Sequence, residues 1–190
     1  IPGTATVHFI DDITLEKNVY YLNFDAESVS DEFNGGAVDP RWEWIRENKE
    51  AHSLTRKTGS LTITSETGGV LEATNNAKNI LLQSANNDWT IETRLVCSRT
   101  PSQPENAGIL VYQNDDNFVK LMFRAVIKTT RARGVQPGTI DLVMEENGIA
   151  KSLATFNLRN EVIGDNALTL KLEKKGSNYT AYYSTDGKTF

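Results

Sequence analysis

Apolar and polar residues alternate with a period of two along much of this chain. Three segments carry the pattern most clearly, with apolar residues at Leu61 and Ile63, at Ile91 and Leu95, and at Leu168, Leu170 and Leu172. Successive side chains of a β-strand point to opposite faces, so this spacing is typical of half-buried antiparallel strands. The pattern predicts strands with an apolar face towards a core and a polar face towards water.

Turn-forming residues separate the predicted strands at regular intervals. They occur at Asn34–Gly36, Thr67–Gly69, Asn86–Asp88, Gln136–Gly138, Asn147–Gly148, Lys175–Ser177 and Asp186–Gly187. Glycine, asparagine and aspartate are common there because their backbones adopt the conformations that tight turns require. Many short strands joined by such turns favour an all-β fold, either a sandwich or a barrel.

Helical signals are short by comparison. Asp39 can cap a single turn that begins at Pro40, and residues 77–82 are a second short ambiguity. Residues 4–15 have a strand pattern followed by a polar joint. Residues 98–106 contain two prolines and few apolar side chains, which predicts a surface loop between strands.

Charge and composition narrow the range of partners. The chain has 190 residues, enough for one packed core, and a formal net charge of -5. Nucleic acid and anionic membranes attract clustered lysine and arginine, so we expect neither as a partner. No apolar run approaches the roughly 18 residues of a membrane span. Cys97 is the only cysteine, which excludes an internal disulfide, and its phase with Ile91 and Leu95 predicts a buried thiol.

The residues needed for catalysis do not form a recognisable set. The two histidines, His8 and His52, are far apart, and no Gly-x-Ser-x-Gly sequence is present. Glycoside hydrolysis usually needs two carboxyl groups about 5–10 Å apart. Glu145 and Glu146 would point to opposite faces of a strand, and Asp88 and Glu92 would lie about 13 Å apart along one. We therefore predict no catalytic residue in this chain.

Aromatic side chains at one position in the chain suggest sugar binding. Trp42, Trp44 and Arg46 share a face if this stretch is extended. Indole rings stack on the apolar faces of sugars, and a guanidinium group binds the surrounding hydroxyls. The alternative is that both tryptophans are core residues. Arg46 between apolar neighbours needs a partner in either case, because a buried unpaired charge is costly, and that partner is either an ion pair or a ligand site.

Amide side chains supply further candidates for hydroxyl binding. Asn76, Asn79 and Gln83 lie in a segment that also contains Asn75 and Lys78. Asparagine is also a common turn former, and turns are the simpler explanation for the Asn75–Asn76 pair.

A second group of candidates, Tyr112 and Gln113, precedes a predicted hairpin turn at Asp115–Asn117. Calcium ligation by this turn is the alternative, although no twelve-residue calcium loop is present.

Several motifs occur in an order that resembles a known family. They are Asp31–Gly35, Asp39–Glu47, Gly59–Ile63, Asn75–Gln83, Asp88–Thr93 and Ala107–Leu121. This succession is similar to the concanavalin A-like domain found at the C-terminus of β-xylosidases and arabinofuranosidases of glycoside hydrolase family 43. The resemblance covers roughly residues 24–190, and it rests on the order of several motifs rather than on any single one.

The resemblance implies a two-sheet antiparallel sandwich of jelly-roll type, spanning residues 23–190. Residues 1–22 would then be the tail strand of an upstream carbohydrate-binding jelly-roll module, or a linker. Family domains continue with at least one more strand, so we expect the chain to be a fragment that lacks its last strand.

The resemblance also implies a function and partners. Catalytic carboxylates belong to a neighbouring domain of the same polypeptide in this family, and the sandwich either binds carbohydrate or supports the active site. We expect a secreted, extracellular, noncatalytic module of a bacterial glycoside hydrolase that acts on plant polysaccharide of the xylan or arabinan type. Calcium is common in related sandwiches, so the resemblance allows a structural calcium ion, but it assigns no ligands to named residues of this chain.

Within this reading, we expect Trp44 to stack on sugar, Arg46 and Gln113 to bind hydroxyls, and Asn79 to orient one of them. Two alternatives stay open. The chain could be a catalytic hydrolase of the concanavalin A-like class, which predicts two carboxylates within about 10 Å of each other. It could also be a structural spacer, which predicts an apolar interface and no cleft.

Overall fold

The computed structural model describes residues 30–96, 106–125, 138–158 and 167–190. These residues belong to two compact units, which we call the N-terminal unit (residues 30–87) and the C-terminal unit (residues 88–190). The predicted strand at residues 4–15, the division after residue 22 and Cys97 lie outside the described residues. So does all of the predicted 98–106 loop except Asn106, which begins a strand.

The described part of the N-terminal unit consists of short strands that pair two by two. They are β1 Glu43–Ile45, β2 His52–Ser53, β3 Thr62–Ile63, β4 Val70–Leu71, β5 Thr74–Asn75 and β6 Ile80–Leu82. The antiparallel pairs are β1 with β6, β2 with β3, and β4 with β5. A 3-10 helix, Lys49–Ala51, precedes β2, and the Asn48 side chain caps it by accepting a hydrogen bond from the Glu50 N–H.

Two short segments that the sequence marks as possible helical turns have different structures. Asp39 accepts a hydrogen bond from the Arg41 N–H at 2.9 Å with its carboxylate, and another from the Trp42 N–H at 3.0 Å with its carbonyl. Pro40 fixes the backbone between them, so the chain makes the single turn that the sequence predicts. The ambiguous segment 77–82 ends in a strand, because Ile80–Leu82 pairs with β1.

The C-terminal unit contains longer strands in two antiparallel sheets. They are β7 Trp89–Val96, β8 Asn106–Asn114, β9 Asn117–Arg124, β10 Thr139–Glu146, β11 Ile149–Asn157, β12 Ala167–Lys175 and β13 Asn178–Ser184. One sheet has the order β11-β10-β9-β8 and the other has the order β13-β12-β7. The predicted turns at 115–116, 147–148 and 176–177 connect three of the hairpins.

The two sheets of the C-terminal unit share one apolar core. The predicted inward residues of β12, Leu168, Leu170 and Leu172, are at most 3% exposed. Strands of both sheets contribute to the same buried cluster, whose other members are Ile109, Val119, Leu121, Phe123, Ile140, Leu142, Leu158, Tyr179 and Ala181. Two antiparallel sheets that bury one face each against the other form a sandwich, as predicted.

The alternation in the N-terminal unit predicts burial less well. Ile63, expected on an inward face, is 44% exposed. The strand that contains it has only two residues and pairs only with β2 among the described strands. Such a short strand presents no continuous apolar face, so the pattern does not fix its burial there.

No α-helix occurs within the ranges that the structure describes. Within the same ranges, no helix is long and apolar enough to span a membrane.

Candidate functional site

The candidate site lies in the N-terminal unit, where the β1–β6 ladder ends. Ile45 is opposite Ile80, and the next residue outwards on each strand has a left-handed backbone. Arg46 has φ of 53° and Asn79 has φ of 55°. Asparagine tolerates this region, whereas arginine adopts it only when its surroundings hold it there. The Asn79 N–H donates to the Arg46 carbonyl at 3.2 Å, so the two turned residues are joined.

Two further hydrogen bonds fix the segments that follow β1 and precede β6. The Arg46 Nε donates to the Ala77 carbonyl at 2.6 Å, and the Asn48 N–H donates to the Asn79 Oδ1 at 2.7 Å. Asn79 is only 6% exposed. The half-buried Arg46 guanidinium and the buried Asn79 amide therefore connect the two segments. The Ala77 carbonyl is one partner for the charge of Arg46, which needs partners when it is taken out of water.

Beside this junction lies an open depression with a volume of about 600 Å³. Its lining consists of polar side chains, namely Arg46, Glu47, Asn48, Asn75, Asn76 and Lys78. The buried Oδ1 atom of Asn75 has no hydrogen-bond partner among the described residues. Amides both donate and accept hydrogen bonds, cations donate and carboxylates accept, so this lining suits a ligand rich in hydroxyl groups.

One carboxylate next to the depression holds several of its residues. Glu66 accepts hydrogen bonds from the Lys78 Nζ at 3.0 Å and from the Asn48 Nδ2 at 3.0 Å. The hydrogen bond from Lys78, followed by the one from Asn48, holds the pKa of Glu66 below its ordinary value of 4.5. The carboxylate is therefore ionised near neutral pH.

The two predicted tryptophans contact protein groups. Trp44, on β1, stacks on the His52 ring with centroids 4.4 Å apart and planes at 19°. The His52 Nε2 lies 3.0 Å from the Oε1 of Glu47, one of the lining residues. The Trp42 Nε1 donates to the Asp31 Oδ2 at 2.9 Å. His52 therefore covers one face of the Trp44 ring, and Asp31 contacts the edge of the Trp42 ring. Sugar stacking by either tryptophan stays a prediction.

The other predicted residues have different positions. Asn76 lines the depression, and its Oδ1 accepts from the Gly69 N–H at 3.1 Å. Gln83 follows β6 and is half-buried, outside the lining. Tyr112 and Gln113 belong to the C-terminal unit, where the Tyr112 hydroxyl donates to Asp115 at 2.9 Å. Gln113 is exposed at an irregularity in the β8–β9 register.

The structure thus brings together Arg46, Asn76 and Asn79 from the predicted set. It adds Glu47, Asn48 and Lys78, together with Asn75 and Glu66. Asn75 and Lys78 lie inside the amide-rich segment that the sequence singles out, so composition could have identified them. Asn48 and Glu66 have no such signal, because they are joined by a contact between residues 18 positions apart.

Two acidic side chains of the four-stranded sheet, Asp141 and Glu145, are the candidates for a hydrolytic pair. Asp141 and Glu145 share one face of β10, because they are four residues apart on a strand whose pairing with β9 is regular. Their α-carbons are therefore about 14 Å apart along the strand. Glu145 is only 2% exposed, and Asp141 accepts hydrogen bonds from Thr139 and Thr155. Two α-carbons this far apart give no support for the roughly 5–10 Å spacing that separates the carboxyl groups of glycosidases.

Metal ligation has little support in the same parts of the chain. Within the described residues, no three histidine, cysteine, aspartate or glutamate side chains are grouped so that they could hold a metal ion. Calcium also accepts backbone carbonyl and amide oxygens as ligands, so a structural calcium ion stays a prediction.

Comparison with known proteins identifies the family. A family model described as "Beta xylosidase C-terminal Concanavalin A-like domain" matches residues 30–190. The chain belongs to this family. The predicted resemblance is therefore confirmed.

The solved structures agree with this C-terminal concanavalin A-like domain at the level of the fold. A chain described as "Bacteroides ovatus Xyloglucan PUL GH43B" superposes with a TM-score of 0.53 at 13% sequence identity. The alignment covers 83% of the present chain and 35% of that chain. No curated protein matches the sequence.

Proposed function

We propose that this chain is a noncatalytic accessory module of a secreted bacterial glycoside hydrolase, and that the depression in its N-terminal unit binds glycan. Membership of a family of β-xylosidase C-terminal domains supports the accessory role beside a catalytic domain of the same polypeptide. The family description names β-xylosidases, which supports a polysaccharide of the xylan type, and we propose xylan or arabinan as the polysaccharide class. The observation that carries glycan binding is the set of amide and charged side chains around the depression.

The composition of that lining fits a neutral, hydroxyl-rich ligand. Three of the six lining side chains are asparagine amides, and the others are two cations and one carboxylate. Such a set offers donors and acceptors at short spacing, which is how proteins bind the rims of sugar rings. The unpartnered Asn75 Oδ1 adds an acceptor that a sugar hydroxyl could satisfy after a small movement of the side chain.

Titration calorimetry of the chain against xylan, arabinan and β-glucan fragments tests the proposal. We expect heat of binding with at least one xylan or arabinan fragment. Lys78→Ala should weaken that binding about tenfold, since a hydrogen bond from a charged donor is among the stronger polar contacts. Lys57→Ala is the matched control, because Lys57 is exposed in the same unit but does not line the depression.

The opposite result is equally clear. A folded sample that gives no heat with any of these glycans would remove the binding role and leave a structural one. Equal losses for the two lysine variants would place the glycan elsewhere on the molecule.

A further inference from the structure

Glu66 does not line the depression, yet it contacts three residues that shape it. Its Oε1 accepts from the Lys78 Nζ and the Asn48 Nδ2, both at 3.0 Å. Its Oε2 accepts from the Asn48 Nδ2 at 3.1 Å and from the Asn79 Nδ2 at 3.5 Å. Two of these partners, Asn48 and Lys78, line the depression, and Asn79 lies buried beside it.

The three partners come from two segments of the chain, and Glu66 belongs to a third. Asn48 follows β1, Lys78 and Asn79 precede β6, and Glu66 lies on the connection between β3 and β4. One carboxylate therefore links the two segments that line the depression to a third that does not. A long, flexible lysine side chain gains a fixed position only when such a partner holds it.

The same contacts fix the orientation of the Asn48 amide. Its Oδ1 accepts from the Glu50 N–H at 3.2 Å, and its Nδ2 faces Glu66. An ionised carboxylate only accepts hydrogen bonds, so Glu66 selects the amide orientation in which the NH₂ group points towards it. Removal of the carboxylate would free the Lys78 ammonium group, and it would leave the Asn48 amide held through its Oδ1 by the Glu50 N–H but without an acceptor for its NH₂ group.

We propose that Glu66 is a positioning residue of the glycan site, which holds the Asn48 amide and the Lys78 ammonium group in place for the ligand. The inference rests on the glycan-binding function proposed above. Glu66 acts through Asn48 and Lys78 and does not itself touch the ligand.

Glycan affinity is the first measurement, made by calorimetry on the same chain. Glu66→Ala should weaken binding about tenfold, because two lining side chains lose their shared acceptor. Glu66→Gln keeps an acceptor for one donor and should recover part of the affinity, to within about threefold of the wild type. Glu43→Gln, at an exposed carboxylate of β1 outside the lining, should leave the affinity unchanged.

The second measurement is independent of any ligand. In ¹H–¹⁵N spectra, the Asn48 side-chain amide should shift in the wild type as the pH falls below 4.5, because Glu66 then takes up a proton. The same signal should shift much less with pH in Glu66→Gln, in which the carboxylate that contacts the Asn48 NH₂ group is gone, and it should lose its distinct shift in Glu66→Ala. Thermal unfolding of each variant shows whether it is folded.

These readouts separate the two proposals. A wild-type chain that binds no glycan defeats the proposed function, whereas the Asn48 signal still decides whether Glu66 positions the amide. Unchanged Asn48 signals in folded Glu66→Ala would overturn the positioning role. Wild-type glycan affinity in that variant would overturn it as well.

Discussion

Asp31 organises two aromatic side chains near the start of the described chain. Its Oδ2 accepts from the Trp42 Nε1 at 2.9 Å, and its Oδ1 accepts from the Phe33 N–H at 2.8 Å. The rings of Phe33 and Trp42 are 6.2 Å apart between centroids. The Trp42 indole is half-buried and a carboxylate satisfies its N–H. Trp42 therefore has a structural role, whether or not its ring also stacks on sugar.

Trp42→Phe should therefore lower the stability of the chain. The substitution removes the N–H donor and part of the apolar ring, and we expect a loss of about 1–3 kcal/mol in the free energy of unfolding. A double-mutant cycle with Asp31→Ala, measured by chemical denaturation, isolates the hydrogen bond from the lost packing. A coupling energy near zero would contradict this assignment.

Single residues also show where sequence reasoning on the site succeeds and where it fails. Arg46 was identifiable because a charge between apolar neighbours needs a partner, and the structure supplies the Ala77 carbonyl. Asn48 and Glu66 were not identifiable, because their roles follow from contacts across the chain that no local spacing encodes. Left-handed φ at Arg46 is likewise set by tertiary contacts and not by residue type.

At the scale of elements, long strands follow the alternation pattern and short ones do not. The predicted faces of β7 are confirmed, since Trp89–Val96 alternates between half-buried and exposed positions. In β12 the inward leucines are confirmed, but Thr169, predicted on the face towards water, is buried as well. Each of these strands has eight or nine residues and a second sheet to pack against, so four or more side chains of each strand lie on one face. β3 has two residues, and its exposed Ile63 shows that alternation without a long ladder carries little information.

The close approach of β8 and β9 predicts that a side chain at Gly108 would destabilise the sheet. Gly108 pairs with Met122, and a Cβ atom at this position would overlap the Leu121 carbonyl oxygen. Backbone atoms cannot rotate away, so Gly108→Ala must displace one strand from the other. We expect a cost of about 1–3 kcal/mol in the free energy of unfolding, from denaturant titration.

The matched control for this substitution is Gly36→Ala. A Cβ at Gly36 meets no atom within 4 Å, so its effect should stay within about 0.5 kcal/mol of zero. Equal stabilities for the Gly108 and Gly36 variants would show that the two strands can separate without penalty.

At the scale of the whole molecule, the fold class was predictable because it depends on many weak signals that agree. Strand alternation, turn residues and the order of the motifs all favour a two-sheet sandwich, and the shared core of the C-terminal unit confirms it. The candidate site depends instead on a few exact contacts in the N-terminal unit, where the strands are short. A fold depends on the combined pattern of many residues, whereas a site depends on a few specific contacts. The sequence therefore predicts the fold more fully than it predicts the candidate site.

The core of the C-terminal unit provides the last prediction. Leu170 is fully buried on β12, where it pairs with Thr93 of β7 on one side and with Tyr183 of β13 on the other. Leu168 and Leu172 lie on the same face of β12. Leu170→Ala removes apolar contacts and leaves a cavity in a rigid layer, so we expect a loss of about 2–5 kcal/mol in the free energy of unfolding. Ile149→Ala is the control, because Ile149 is 73% exposed in the same unit and should change stability by less than about 0.5 kcal/mol. Chemical denaturation followed by tryptophan fluorescence compares them, and similar midpoints for the two variants would mean that the sheets do not share a close-packed core.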